Sequence, residues 1–289
     1  MADLFDTYLH AVNDALEQYL TAPCDPHRVL DAMHYSASAG GKRIRPMLTL
    51  EFARLCGGEW EKALPFACGI EMVQTYSLIH DDLPCMDDDD LRRGKPSCHV
   101  RFDEGTALLA GDGLLTMAFE ALSDAELPPE RIVQAVKTLS HSIGVNGMIG
   151  GQEMDLQNEE KRDLPLSVIR RTNEKKTAAL LTASCLLGVI AAGGAEEQMD
   201  AARQYGLYLG LACQVVDDLL DVTSTEDALG KPIGSDAENE KSTYVSALGL
   251  AEARRYAEDY TVRALEALDV FADAQPLKNL TEKLLRRSS

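Results

Sequence analysis

A chain of 289 residues, 45% hydrophobic and 26% charged, can bury a deep core and is too apolar for disorder. Its formal net charge of −19 argues against nucleic acid and against anionic membrane surfaces as partners. Positive charge is gathered into compact islands, Lys42-Arg43-Ile44-Arg45, Arg92-Arg93 and Lys175-Lys176, as suits a protein that handles an anionic ligand locally.

Helical patterns follow one another along the chain. Asp25-Pro26 places a capping side chain before a proline at the first helical position, opening a helix that stops at Gly40-Gly41. Pro46 opens another, apolar residues recur at helical spacing from Trp60 to His80, and Pro128-Pro129 precedes a helix starting near Glu130. The stretch from Ala178 to Ala195 is uncharged but rich in Ala and Gly, which reads as a buried core helix and not a membrane span. Further helices are expected over 177–190, 196–223, 243–268 and 276–286. Alternation bounded by hairpin turns is missing, as are linkers rich in Gly, Ser or Pro. The expectation is a single all-α domain over 1–289 with roughly ten or more helices.

The cysteines, Cys24, Cys56, Cys68, Cys85, Cys98, Cys185 and Cys213, are odd in number and form no zinc spacing. With no leader-like segment, they point to reduced thiols in a cytoplasm. Cys85 lies inside an acidic run yet reads as a packing residue, because hard cations do not seek sulfur.

Two aspartate clusters dominate the chain. The first runs Asp81-Asp82-Leu83-Pro84-Cys85-Met86-Asp87-Asp88-Asp89-Asp90, and the second Asp217-Asp218-Leu219-Leu220-Asp221. Gly-Lys-Pro begins 13 positions after each, at Gly94 (94 − 81) and Gly230 (230 − 217). Carboxylates this crowded call for a counter-cation, and hard oxygen ligands beside Lys and Arg suit Mg²⁺ bound to diphosphate. A solvated acidic face would explain Asp88 to Asp90, but not Asp217-Asp218 within the apolar stretch Leu209 to Val222. Asp217 and Asp221, four apart, share a helix face. Pro84 and the acidic run should end the first helix near Asp81, leaving carboxylates at a helix C-terminus where the dipole favours a cation.

With these motifs the sequence resembles the trans-isoprenyl diphosphate synthases, and within them the bacterial type of farnesyl diphosphate synthase. The resemblance is carried by Tyr76-Ser77-Leu78-Ile79-His80-Asp81-Asp82 through Arg92-Arg93-Gly94, with the four-residue spacer Leu83 to Met86. It is carried too by Gln214-Val215-Val216-Asp217-Asp218-Leu219-Leu220-Asp221. Gly40-Gly41-Lys42-Arg43-Ile44-Arg45-Pro46, Gly150-Gly151-Gln152-Glu153-Met154-Asp155, Lys176-Thr177 and Lys241-Ser242-Thr243-Tyr244 complete the set in order.

The resemblance implies an all-α helical bundle around a central catalytic cavity, the isoprenoid synthase fold, working in isoprenoid biosynthesis as a homodimer. It implies head-to-tail condensation of dimethylallyl or geranyl diphosphate with isopentenyl diphosphate to farnesyl diphosphate. Mg²⁺, three ions per active site, would sit on Asp81, Asp87, Asp217 and Asp221, with Asp82, Asp88 and Asp218 in support, directly or through water. Arg92, Lys176, Lys231 and Lys241 would touch the allylic diphosphate. Lys42, Arg45 and Arg93 would hold isopentenyl diphosphate, with Gln74 where many relatives have His. Thr177 and Gln214 would steady the allylic cation. Tyr76 would floor the elongation pocket, with the small Ser77 leaving room above it.

Other readings remain beside this one. Gln152 and Asp155 read equally well as a cap and a surface acid, while His80 and His99 read as hydrogen-bonded structural residues. A geranylgeranyl diphosphate synthase is the alternative within the family. A terpene cyclase would not need the Lys42–Arg45 island, and a non-catalytic subunit of a heteromeric synthase should have lost one cluster.

Overall fold

The structure, a computed structural model, describes residues 4–21, 25, 27–158, 161, 163–223 and 242–285. They gather into two compact units, Met1–Val136 with Ile190–Gly193 and Lys137–Val189 with Gly194–Ser289.

In the first unit, α4 (Leu64–Asp81) packs against α1 (Leu4–Leu20), α2 (His27–Ala37), α3 (Ile44–Leu55) and α6 (Glu104–Ser123). Its run Phe66–Val73 is buried on every side and, Glu71 apart, carries no charge. Each large apolar side chain sealed this way contributes about 1.5–3 kcal/mol. Gly69 admits α6, because a Cβ there would lie 2.3 Å from Leu122 and 2.9 Å from the Ala118 carbonyl.

The helix expected after Asp25-Pro26 begins at His27 and ends at Ala37, before the glycine pair. Pro46 does not open α3 but sits in its first turn, where a missing N–H costs nothing. The stretch from Trp60 divides into a 3₁₀ turn, Trp60–Ala63, and then α4.

A small hairpin joins β1 (Leu91–Arg92) to β2 (Lys95–Pro96), with Leu91 opposite Pro96. Its turn residues, Arg93 (φ +55) and Gly94 (φ +74), are both left-handed, as two-residue hairpin turns favour. Strands of two residues are too short to show alternation, so the sequence pattern missed them. After α5 (Cys98–Arg101), Asp103 caps α6 by accepting the Thr106 N–H, and Arg28 reaches it at 2.7 Å.

Helix α7 (Pro129–Ile143) starts where the proline pair placed it. In the second unit, α8 (Met148–Asn158) is followed by α9 (Leu166–Asn173), a π-helical turn at Glu174–Ala178, and α10 (Ala179–Ala192). The continuous helix Leu166–Ala192 is long and apolar enough to cross a membrane, yet 67% of its apolar window is buried inside the protein. Helix α11 (Glu196–Thr223) has the bounds its sequence suggested.

One long helix was expected from 243 to 268, but Gly249 at φ +78 splits it into α12 (Tyr244–Leu248) and α13 (Leu250–Ala267). Helix α14 (Gln275–Leu285) closes the described chain. Cys68, Cys98 and Cys185 are buried, whereas Cys85 is exposed in its acidic loop and packs no core, contrary to expectation.

Candidate active site

The first cluster starts where α4 stops. Pro84 prevents the helix from continuing, and the loop turns back so that the Asp87 N–H donates to the Asp81 carbonyl at 2.8 Å. Leu83 is buried and anchors the loop, leaving Asp81 half-buried and Asp87 exposed near the same helix end. Asp82 faces the other way and is only 2% exposed. It accepts from Arg92 Nε at 2.9 Å and from Arg92 Nη2, which also reaches Asp89. Burial pushes the Asp82 carboxyl above the ordinary carboxylate value, while Arg92 pulls against that shift.

The basic groups lie on the hairpin that follows and on the loop before α3 and its first turn. Lys42 is exposed and Arg45 half-buried, each flanking an inward-turned Arg43. Arg93 donates to the Gly40 carbonyl, tying the hairpin to the basic loop. Gln74 and Ser77 lie half-buried on the face of α4 that carries Asp81, and the Ser77 hydroxyl donates to the Gln74 carbonyl at 3.0 Å. Tyr76 is buried, its ring edge-on to His80 and its hydroxyl without a hydrogen-bond partner. Burial, reinforced by Asp81, pushes its phenol to about 12. His80 bonds the Leu108 carbonyl and His99 bonds Ser97, as structural histidines do.

In the second unit the cluster occupies the last turns of α11. Asp217 is exposed, while Asp218 and Asp221 are buried. The argument from costly burial therefore applies to Asp218 and not to Asp217. Asp218 accepts the Gln214 side-chain N–H at 3.1 Å and the Tyr244 backbone N–H at 2.9 Å. The latter is one of the unpaired N–H groups at the start of α12, whose capping box is Thr243 with Ser246. Gln214 in turn accepts from the Thr177 hydroxyl at 3.3 Å.

Thr177 and Lys176 stand in the π-helical turn, a feature common at functional positions. Three glycines let neighbours close on this turn and on the start of α10. A Cβ on Gly151 would lie 2.2 Å from the Lys176 nitrogen, and Cβ atoms on Gly210 and Gly206 would lie 2.5 Å from the Ala178 and Thr182 Cα atoms. Lys176 donates to Asp155 at 2.6 Å. Asp155, Lys176, Gln214, Asp218 and Thr243 line one polar cavity of about 160 Å³.

Asp155 is therefore an ion-pair partner and not a loose surface acid. In the sequence it reads equally well as a surface acid, and its place in the Gly150–Asp155 motif is the available signal. Gln152 has a buried side-chain nitrogen without a partner. Lys231, Lys241 and the second Gly-Lys-Pro lie outside the described residues.

Each cluster thus offers hard oxygen donors at a helix C-terminus, where the dipole favours a cation. Asp82 and Asp218 are committed to protein donors. Among the described residues no three ligating side chains converge into a metal cage. That donor set fits Mg²⁺, which takes a few carboxylates and completes its shell with water and substrate oxygens.

Helix ends carrying acid pairs, with basic groups beside them in an all-α frame, define a prenyltransferase of the isoprenoid synthase fold, and known proteins agree. The sequence description of the family Polyprenyl synthetase matches residues 26–282. The chain is 42% identical to geranylgeranyl diphosphate synthase of Cyanophora paradoxa, over 98% of this chain and 96% of that protein. It is 44% identical to the chloroplastic geranylgeranyl pyrophosphate synthase of Capsicum annuum, over 96% of this chain and 76% of that one. A crystal structure of an FPP/GFPP synthase from Zymomonas mobilis matches with a TM-score of 0.87 at 34% identity, covering 98% of this chain and 97% of that one. The chain belongs to the polyprenyl synthetase family. The names of the two curated relatives do not single out the bacterial farnesyl type that the acidic motif resembled.

Proposed function

We propose that the chain is a short-chain trans-prenyltransferase that condenses an allylic diphosphate with isopentenyl diphosphate, and that its main product is geranylgeranyl diphosphate. The names of the Capsicum and Cyanophora relatives support that product over the farnesyl diphosphate first expected. The observation that carries the activity is the division within each cluster. One carboxylate in each, Asp82 or Asp218, is anchored to donors inside the protein, while Asp87 and Asp217 face solvent, Asp81 is half-buried and Asp221 is buried. The two units work as one domain, a reading supported by the single family description that spans residues 26–282.

Asp81, Asp87, Asp217 and Asp221 would hold Mg²⁺, three ions per site, with Asp82 fixing the loop after α4 and Asp218 the last turns of α11. Magnesium, when bound, supplies positive charge to the diphosphate that leaves carbon. Arg92, Lys176, Lys231 and Lys241 bind the allylic diphosphate, and Asp155 keeps Lys176 in place. Lys42, Arg45, Arg93 and Gln74 anchor isopentenyl diphosphate, which does not ionise and needs only to be held. The oxygens of Thr177 and Gln214 steady the allylic cation, and the departing pyrophosphate takes the proton lost at the end. A second copy of the chain is the expected partner, read out by sedimentation.

A second reading, release of farnesyl diphosphate, is favoured by Tyr76, whose buried ring would shorten the elongation pocket. Chromatography of dephosphorylated products from isopentenyl diphosphate with dimethylallyl, geranyl or farnesyl diphosphate decides. A twenty-carbon alcohol from all three is the proposed result. Arrest at fifteen carbons, relieved in Tyr76→Ala, supports the second reading. A cyclic hydrocarbon defeats both.

A further inference from the structure

Glu71 stands within the buried run Phe66–Val73 of α4, between Ile70 and Met72, and is 3% exposed. A carboxylate there needs a partner, and its partner is Arg43, equally buried. The same guanidinium donates to Asn13 on α1 at 3.1 Å and to the carbonyl of Ala37, the last residue of α2. One buried cation thus joins α1, α2 and α4.

Arg43 itself has φ +49, a left-handed backbone that non-glycine residues seldom adopt. It sits at the point where the basic loop enters α3. Because its side chain turns inward, exposed Lys42 and half-buried Arg45 flank it. The other edge of the loop is fixed from the hairpin, where Arg93 donates to the Gly40 carbonyl. A Cβ on Gly41 would lie 2.7 Å from the Arg93 guanidinium carbon, so the two segments are in close contact. Partial desolvation lowers the Arg93 guanidinium below its ordinary value, with Glu71 opposing that shift and Arg43 and Arg92 adding to it.

We infer that Glu71, acting through Arg43, is the positioning residue of the basic loop 40–45: their buried ion pair holds the left-handed turn and sets where Lys42, Arg45 and Arg93 present their charges. The inference rests on the proposed reading of that loop as the isopentenyl diphosphate subsite. Stability alone would not require the pair, since well-packed apolar residues commonly replace a buried ion pair without loss, whereas removing one partner leaves an uncompensated charge.

That difference supplies the test. Isopentenyl diphosphate binding in magnesium-free buffer and Tm are measured by calorimetry for the wild type, Glu71→Gln and the double variant Arg43→Met/Glu71→Leu. KM values for isopentenyl and allylic diphosphates are measured alongside. Glu71→Gln is expected to lower Tm and weaken isopentenyl diphosphate binding at least tenfold. The double variant is expected to recover Tm but keep the tenfold loss, with the allylic KM changed less than twofold in both. Wild-type affinity in a double variant of wild-type Tm overturns the inference and leaves the subsite reading standing. So does an equal rise in both KM values. No binding by the wild type overturns the subsite reading and this inference with it.

Discussion

Asp82 and Asp218 occupy the same place in their clusters, second in each, and both are sealed from solvent, at 2% and 4% exposure. Asp82 is held by a charge, the guanidinium of Arg92, supplied by a hairpin that follows directly in sequence. Asp218 accepts from two amides, that of Gln214 one helical turn before it and the Tyr244 N–H well beyond it in the chain. The first inner carboxylate is thus supported by a partner local in sequence. The second cluster is a junction, because its inner carboxylate joins α11 to the start of α12 and, through Gln214, to the π-helical turn that carries Thr177. The same sequence pattern thus fixes its inner carboxylate by two different internal supports.

The largest expected effect ignores that difference and tests what the clusters share. Asp81→Ala and Asp217→Ala should each lower turnover at saturating Mg²⁺ by about 10²–10³-fold or more, as loss of a transition-state charge partner does. Pyrophosphate release is the readout, and near-normal rates in both would show that neither carboxylate serves the reaction.

The second effect separates the clusters. Asp218→Ala strands a buried N–H and a side-chain amide and should destabilise by about 1–3 kcal/mol. Asp82→Ala should cost less, because Arg92 is 33% exposed and can turn to water. Equal shifts in urea midpoints would erase the contrast between a local partner and a junction.

A third, smaller effect sharpens the junction. Asp155→Asn loosens Lys176 and should raise the allylic KM by about threefold to tenfold, within the range of one charge-assisted hydrogen bond. The KM for isopentenyl diphosphate should stay put, and a parallel change in both would place Lys176 outside the allylic subsite.

The smallest effect belongs to an exposed carboxylate outside both clusters and serves as their control. The Thr106 N–H, then Arg28 and the Thr106 hydroxyl, hold Asp103 down to about 2 from 3.8. A depressed carboxylate stabilises the fold above its unfolded value and loses that contribution as pH falls through its folded value. Asp103→Asn should therefore lower Tm slightly at neutral pH, with the gap to the wild type closing between pH 3.8 and about 2. A gap that is unchanged at pH 2 would contradict the capping role.

Much of this was legible in the sequence because its signals were local. Asp25-Pro26, Pro128-Pro129 and the apolar period of residues 196–223 marked helices that form within a few residues of where they were read. The acid clusters and basic islands were visible as charge density. What escaped depended on partners distant in sequence. Glu71 in an apolar run was a hint that a cation must come to it, but nothing in the run named Arg43. The hairpin at Leu91–Pro96 was too short for a period, and the break at Gly249 required a positive φ that a lone glycine permits without demanding. Cys85 was misplaced because a loop that folds back on the helix end turns its tip to solvent.

The central claim, that two acidic clusters serve Mg²⁺-dependent transfer of an allylic group to isopentenyl diphosphate, is tested most directly by counting both products of one reaction. Radiolabelled isopentenyl diphosphate and geranyl diphosphate are incubated with the chain, and pyrophosphate release and label entering longer prenyl diphosphates are measured in the same sample, with and without EDTA. The account predicts one pyrophosphate for every isopentenyl unit incorporated, both abolished by EDTA. Pyrophosphate released without incorporation, or incorporation that survives EDTA, would contradict it.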